Sequence, residues 1–373
     1  MNPVALEGAM RRYEWGSPTA IPQLLGHEPD GAPVAELWFG AHPDDPAWVH
    51  EHETSLDALI DRAPDAALGA EVISRFGARL PFLLKILAAD RPLSIQVHPT
   101  REQAEAGFAA EEKAGVPRDA AHRNYRDPHH KPELLCALTP FEALCGFRPV
   151  EQTLAVLDEL RIPELGFLAR LLRGPDPLRR AFAELLTMDD PSPVIDAVCA
   201  AASPEGPLRP AHLAAAAFPG DVGIVLTLLL NPVTLQPGEA IFLGAGNVHA
   251  YLRGTAVEVM AASDNVLRCG LTPKHVDVAE LLRITDFSEL AEPRWPEGPE
   301  GFAVPVPDFR LDRRSVDGVH EVAVPGPRIA LCAAGAFEIG GVHTPAGRAV
   351  FLPDDAGPCA ARGQGLLFTA AVG

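Results

Sequence analysis

Paired cysteines are missing from this chain. Its six, Cys136, Cys145, Cys199, Cys269, Cys332 and Cys359, stand far apart without a single C-x-x-C spacing. Neither a thiolate zinc site nor a disulfide framework is expected, and they read as small buried hydrophobes. Positive charge is also scarce: 31 Lys and Arg against 50 Asp and Glu give a formal charge of -19. That excludes nucleic acid and an anionic membrane surface as partners, because both need a broad positive face. An anionic small molecule needs only a local basic pocket. No segment reaches the roughly 20 apolar residues of a membrane span, and residues 1–12 lack an apolar run of signal length, so a cytoplasmic chain is expected. No glycine-rich nucleotide loop or Rossmann-like unit is present, which counts against a second, nucleotide-sugar activity.

What is present has the balance of an enzyme, 47% hydrophobic and 22% charged over 373 residues, with room for two or three domains. The most informative stretch is residues 93–99, Leu-Ser-Ile-Gln-Val-His-Pro. Apolar Leu93, Ile95 and Val97 alternate with polar Ser94, Gln96 and His98, a period of two that reads as a strand with one chemically specific face. A neutral amide beside an imidazole suits a metal site inside a barrel; a solvated edge strand is the plainer alternative. Just upstream, residues 80–87 form an apolar run broken only by Lys85, a buried strand with one charge that needs a partner. Lys85 either snorkels to a rim carboxylate or binds an anion.

After His98, Thr100 and Gln103 have capping-box spacing, and a short helix ending at Gly115 is expected. Residues 54–76 have helical spacing broken at Pro64, while residues 12–17 and 35–40 read as aromatic strands closed by glycine. The chain returns at residues 125–135, where Lys131, Glu133 and Leu135 share a strand face and Glu133 offers an anionic oxygen. His129 and His130 are adjacent in a loop and cannot both face one ion. Residues 150–230 change to leucines at helical spacing between proline and glycine breaks, a small helical domain. Strand character resumes at Asn231, and a turn through Pro237 and Gly238, an apolar strand and a glycine-rich turn then present His249. Gln96, His98, Glu133 and His249 together make an N/O ligand set that suits zinc, with iron or manganese as alternatives. Residues 300–373 repeat the strand, glycine turn, strand pattern, but His320 and His343 lack a carboxylate at matching spacing. This part reads as a metal-free jelly roll packed on the first.

Four stretches carry a resemblance: residues 93–99, residues 130–134 (His-Lys-Pro-Glu-Leu), residues 237–252 (Pro-Gly-Glu-Ala-Ile-Phe-Leu-Gly-Ala-Gly-Asn-Val-His-Ala-Tyr-Leu) and residues 260–274 (Met-Ala-Ala-Ser-Asp-Asn-Val-Leu-Arg-Cys-Gly-Leu-Thr-Pro-Lys). In that order they resemble the type I mannose-6-phosphate isomerases, a likeness spanning about residues 10–290. The resemblance implies a mainly β fold of two cupin jelly rolls, bicupin-like, with an inserted helical domain. The expected boundaries are a catalytic jelly roll over 1–149 and 231–299, the helical insertion over 150–230, and a metal-free jelly roll over 300–373.

The same resemblance implies interconversion of mannose 6-phosphate and fructose 6-phosphate at one zinc ion held by Gln96, His98, Glu133 and His249; a monomer is expected. Arg268 falls on the catalytic arginine; Ser94, Lys85 and Lys274 fall on phosphate-binding positions; Lys131, Glu258 and Tyr251 line the pocket. Moving a carbonyl between adjacent carbons means taking a C–H proton, passing through an enediol or enediolate and returning the proton next door. Glu258 is the leading candidate for that base, with Lys131 the alternative. Two other classes stay open: a cupin-type metal-dependent oxygenase, which Gln96 and the lysines count against, and a noncatalytic sugar-binding bicupin, which has no need of Arg268.

Overall fold

The long strand His249–Ala261 runs through both halves of one eleven-stranded sheet. Its first half pairs with Phe141–Phe147 and, at His249, with Gln96 of the strand Ile95–Val97. Beyond Gly254 it pairs antiparallel with Phe82–Ala89 on one side and Glu133–Ala137 on the other. The changeover needs glycine: Gly254 has φ +126°, and a Cβ there would stand 2.8 Å from the Phe141 Cα. Eleven strands are linked in this way. The computed structural model, which describes residues 1–373, thus has the sheet-rich architecture of cupin jelly rolls without a closed barrel.

Between Phe141–Phe147 and Leu230–Leu235 the chain makes the helices Val150–Leu160, Gly166–Leu172, Pro177–Thr187, Ser192–Ala201 and Arg209–Ala217. Three of them carry proline in the first turn, where a missing N–H costs nothing. Their apolar faces, including Leu168, Phe182, Leu185 and Ile195, share one core with Ile95, Val97, Val248 and Ala250 of the sheet. The period-two alternation near residue 95 therefore has a physical cause: its apolar members meet the helices, and Gln96 faces the other way.

Six strands form a second sheet, in which Arg310–Val322, Cys359–Ala371, Arg328–Ile339, Ala349–Leu352 and Val4–Leu6 lie side by side, and Val342–Pro345 extends Arg328–Ile339. The first strand of the chain thus pairs with a strand near its end, Val4 opposite Phe351. The two sheets meet across one core in which Phe82, Leu84, Ile86, Val257 and Val259 pack with Phe309, Ile329, Leu331, Phe351 and Phe368. A shared apolar core of this size argues against independent motion of the two rolls.

Local expectations are met at the capping box, where Gln103 N donates to Thr100 Oγ1 and Thr100 N to Gln103 Oε1. They are met again at Leu56–Arg62 and Pro64–Phe76, two helices divided at Pro64. Residues 12–17 differ from the strand expected there. They form a turn closed by Gly16 N on Tyr13 O, with isolated bridges from Gly16 to Ala89 and from Ser17 to Val34. The chain crosses so close to its neighbour that a Cβ on Gly16 would lie 2.5 Å from Ala35 N.

Candidate metal centre

Ile95–Val97 sets the first side of the site. Gln96 is in register with His249 on one neighbour and with Arg268, on the strand Leu267–Gly270, on the other. His98 follows two residues later, and Glu133, opening the strand Glu133–Ala137, is in register with Met260. The structure brings His98, Glu133 and His249 together: Oε1 of Glu133 is 3.4 Å from His98 Nε2, and its Oε2 is 3.4 Å from His249 Nε2. Each imidazole is turned by its other nitrogen. Nδ1–H of His98 donates to Asn265 O at 2.7 Å, and Nδ1–H of His249 donates to Asn247 O at 3.0 Å, which leaves both Nε2 lone pairs aimed inward.

His98 Nε2, His249 Nε2 and Glu133 Oε2 are buried with no hydrogen-bond partner. Three orphaned polar atoms in one place would be costly in a folded protein unless a cation completes them. The spacing agrees, since donors bonded to zinc at about 2.0–2.1 Å and tetrahedral angles stand about 3.4 Å apart. Burial pushes His98 down to about 4 although the Glu133 charge opposes it, so the ring is neutral, as a ligand must be. Glu133 is held well below the ordinary carboxylate range: burial acts to raise it, and the Lys131 charge and the His98 contact outweigh that. Lys131 Nζ lies 2.8 Å from Glu133 Oε1.

A second row of charges lies beside the first. Lys85 is 5% exposed, and its ammonium stands 3.4 Å from Glu36 Oε1, 3.4 Å from Glu258 Oε2 and 5.0 Å over the Trp38 ring. Burial acts to lower its pKa, but the charges of Glu36 and Glu258 raise it overall. Tyr251 OH donates to Glu258 Oε1 at 2.5 Å, so both Glu258 oxygens are engaged. The Glu258 pKa is raised, by burial first and then by the Glu133 charge, against the pull of Lys85 and Tyr251. Glu36, which also accepts from Trp38 Nε1 at 2.9 Å, was not foreseen in sequence. Its only local signal is alternation on the strand Glu36–Phe39, whose register partner for Trp38 is Lys85.

Cations gather at the rim. Arg268 is half-buried and Lys274 exposed. The Lys274 pKa is lowered, chiefly by the Arg268 charge, then by partial burial and Arg126; that of Arg268 is lowered by burial and by Arg126. Arg126, Arg268 and Lys274 therefore repel one another across one patch, and Ser94 is half-buried ahead of Ile95–Val97. Arg126 was also missed, because in sequence nothing separates it from an ordinary surface arginine.

A family model, the type I phosphomannose isomerase catalytic domain, matches residues 4–150. The mannose-6-phosphate isomerase of Escherichia coli strain K12 is 44% identical over 320 residues, 82% of this chain and 81% of that protein. The chain belongs to the type I phosphomannose isomerase family. The family likeness extends to the human mannose-6-phosphate isomerase, 34% identical across 84% of this chain and 82% of that protein. A crystal structure of the Salmonella typhimurium enzyme bound to fructose 6-phosphate and zinc covers all of both chains with a TM-score of 0.93 at 38% identity. Another mannose 6-phosphate isomerase structure, with zinc and yttrium, superposes over the full length with a TM-score of 0.93 at 36% identity.

Proposed function

We propose that this chain interconverts mannose 6-phosphate and fructose 6-phosphate through an enediol or enediolate, at a zinc ion held by His98, Glu133 and His249 with Gln96 as the fourth ligand. The observation that carries the proposal is three buried donor atoms without hydrogen-bond partners, His98 Nε2, His249 Nε2 and Glu133 Oε2, on side chains whose imidazoles each stand 3.4 Å from a Glu133 oxygen. When bound, zinc supplies a Lewis acid toward the sugar oxygens. The remaining work falls to the chain. With Gln96 neutral, Glu133 is the single anionic ligand, and Lys131 holds its Oε1. Arg268, in register with Gln96, places a guanidinium where charge-assisted hydrogen bonds strengthen as the enediolate develops.

Glu258 carries the proton between the two carbons. Its raised pKa moves it toward the range in which a carboxyl both takes and returns a proton near neutrality. Lys85, read in sequence as a phosphate residue, is proposed to hold Glu258 in place, because two carboxylates already share its ammonium. The substrate phosphate is met at the rim by Ser94 and Lys274, joined by Arg126. That remote contact fixes the reacting carbons in register. We place the enzyme in the cytoplasm as a monomer; no helix is long and apolar enough to cross a membrane.

The test is conversion of mannose 6-phosphate by purified chain before and after chelation, with zinc added back. Activity lost on chelation and restored by zinc is the expected result. A folded, zinc-loaded chain without turnover would sink the isomerase, and oxygen uptake would point to the oxygenase instead.

A further inference from the structure

The C-terminal sheet contributes none of the proposed zinc ligands, yet a carboxylate at its edge reaches the segments of the metal centre. Asp308, just ahead of Arg310–Val322, is 1% exposed. Its Oδ2 lies 2.8 Å from His130 Nε2, and its two oxygens lie 3.4 and 3.3 Å from Arg101 Nη2. Arg101 Nη2 and His130 Nε2 also approach to 2.8 Å. With Asp308 as the shared acceptor, Nε2 of His130 carries the proton and both nitrogens donate to the carboxylate. Burial acts to raise the Asp308 pKa, but the His130 hydrogen bond and the charges of Arg101 and Arg79 hold it below the ordinary range, so an anion sits between two donors.

The two donors are significant for where they stand in the chain. Arg101 opens the helix Arg101–Ala114 directly behind His98, a position where the helix dipole disfavours a cation; Asp308 offsets that. His130 immediately precedes Lys131 and the strand that Glu133 opens. From the opposite side the same loop is held by Asn265, whose Nδ2 donates to His129 O at 2.8 Å, and by Ser263, whose Oγ donates to Asp127 Oδ1 at 2.9 Å. The carbonyl of Asn265 is the one that orients His98.

We infer that Asp308 is a positioning residue for the isomerase centre: through His130 and Arg101, the C-terminal sheet sets where Lys131 and the His98 segment stand. The inference rests on the function proposed above for its kinetic consequence but not for its geometry.

Asp308→Ala is expected to lower kcat about tenfold or more with KM within about threefold and zinc at one per chain, the pattern of misplaced rather than missing machinery. Asp308→Asn, which keeps a carbonyl acceptor, should recover part of the loss and answers the question if the alanine variant does not fold. Arg75→Ala is the control. It breaks contacts with the same end of the chain, Nη2 to Pro307 O at 3.3 Å and to Gly373 O at 3.1 Å, without touching His130, and should leave kcat within about twofold. In a His130→Ala background, Asp308→Ala should lower kcat by a smaller factor than in the wild type, because the His130 contact is already gone and only the Arg101 contact remains to be lost.

Unchanged kcat in Asp308→Ala, an equal loss in Arg75→Ala, or losses that multiply with His130→Ala would each overturn the inference. Amide exchange over residues 127–131 reads the clamp without activity: it should rise several-fold in Asp308→Ala. Unchanged exchange refutes the clamp, whereas a wild-type chain with that clamp but no turnover refutes only the function.

Discussion

The two jelly rolls use the same antiparallel hairpins and fill them with opposite materials. Inward-facing positions of the catalytic roll hold His98, Glu133, His249, Lys85 and Glu258, all buried. The C-terminal roll instead packs Val316, Cys332, Phe337, Ile339, Val350, Leu352 and Leu367 into a cluster of its own. Its histidines lie outward: His343 is exposed, and His320, partly exposed, lies 4.0 Å from Asp312. The architecture is neutral as to chemistry, and function follows from which side chains the pleat turns inward. The polar interior is tolerable because nearly every group in it has a partner, and the three that lack one face each other.

The comparison breaks most sharply at His249. His249→Ala should lose zinc and with it more than about 100-fold of the turnover, since even partners outside the ligand shell are worth 10–100-fold; zinc content by elemental analysis beside the isomerase assay checks this. Glu258→Gln is expected to keep zinc and lose about 10²–10⁴ in kcat, and near-normal turnover would remove Glu258 from proton transfer. Arg268→Ala should retain zinc and substrate binding while kcat falls about 10²–10³-fold. An equal loss of metal would mark Arg268 as structural.

Acid sharpens the contrast. The His98 pKa is lower in the folded chain, about 4, than its unfolded value of about 6.5, so the unfolded state binds more protons between those limits. The stability this contributes is complete above pH 6.5 and is lost as pH falls toward 4, a change of ~3 kcal/mol in the chelated protein. Denaturant melts of the chelated wild type and His98→Gln at several pH values should converge in acid; parallel curves would contradict the assignment. The smallest effect on activity belongs to the other roll. Phe337→Ala should cost about 3–5 kcal/mol of stability through a cavity, while kcat per folded, zinc-loaded molecule stays unchanged.

Much of this was legible in sequence because it is local. The alternation at residues 93–99, the capping box and the turn before His249 each lie within a short window, and the resemblance tied them together. Glu36, Arg126 and Asp308 were not legible, since each matters only through partners supplied by distant strands or loops. The turn at residues 12–17 was misread as a strand because Trp15 and Gly16 have strand-like neighbours, and the crossing at Ala35 is a property of the tertiary fold. The depth of Lys85 was legible from its apolar flanks; that two carboxylates would share it was not.

The pairing of Val4–Leu6 with Ala349–Leu352 has a consequence for the order of synthesis. Val4–Leu6 leaves the ribosome long before its partner exists, so this sheet cannot close until Ala349–Leu352 has been made. Until then its edge is open to other chains. Newly made protein should therefore be most prone to aggregate before Ala349–Leu352 emerges, and a variant lacking Val4–Leu6 should keep that exposed edge permanently.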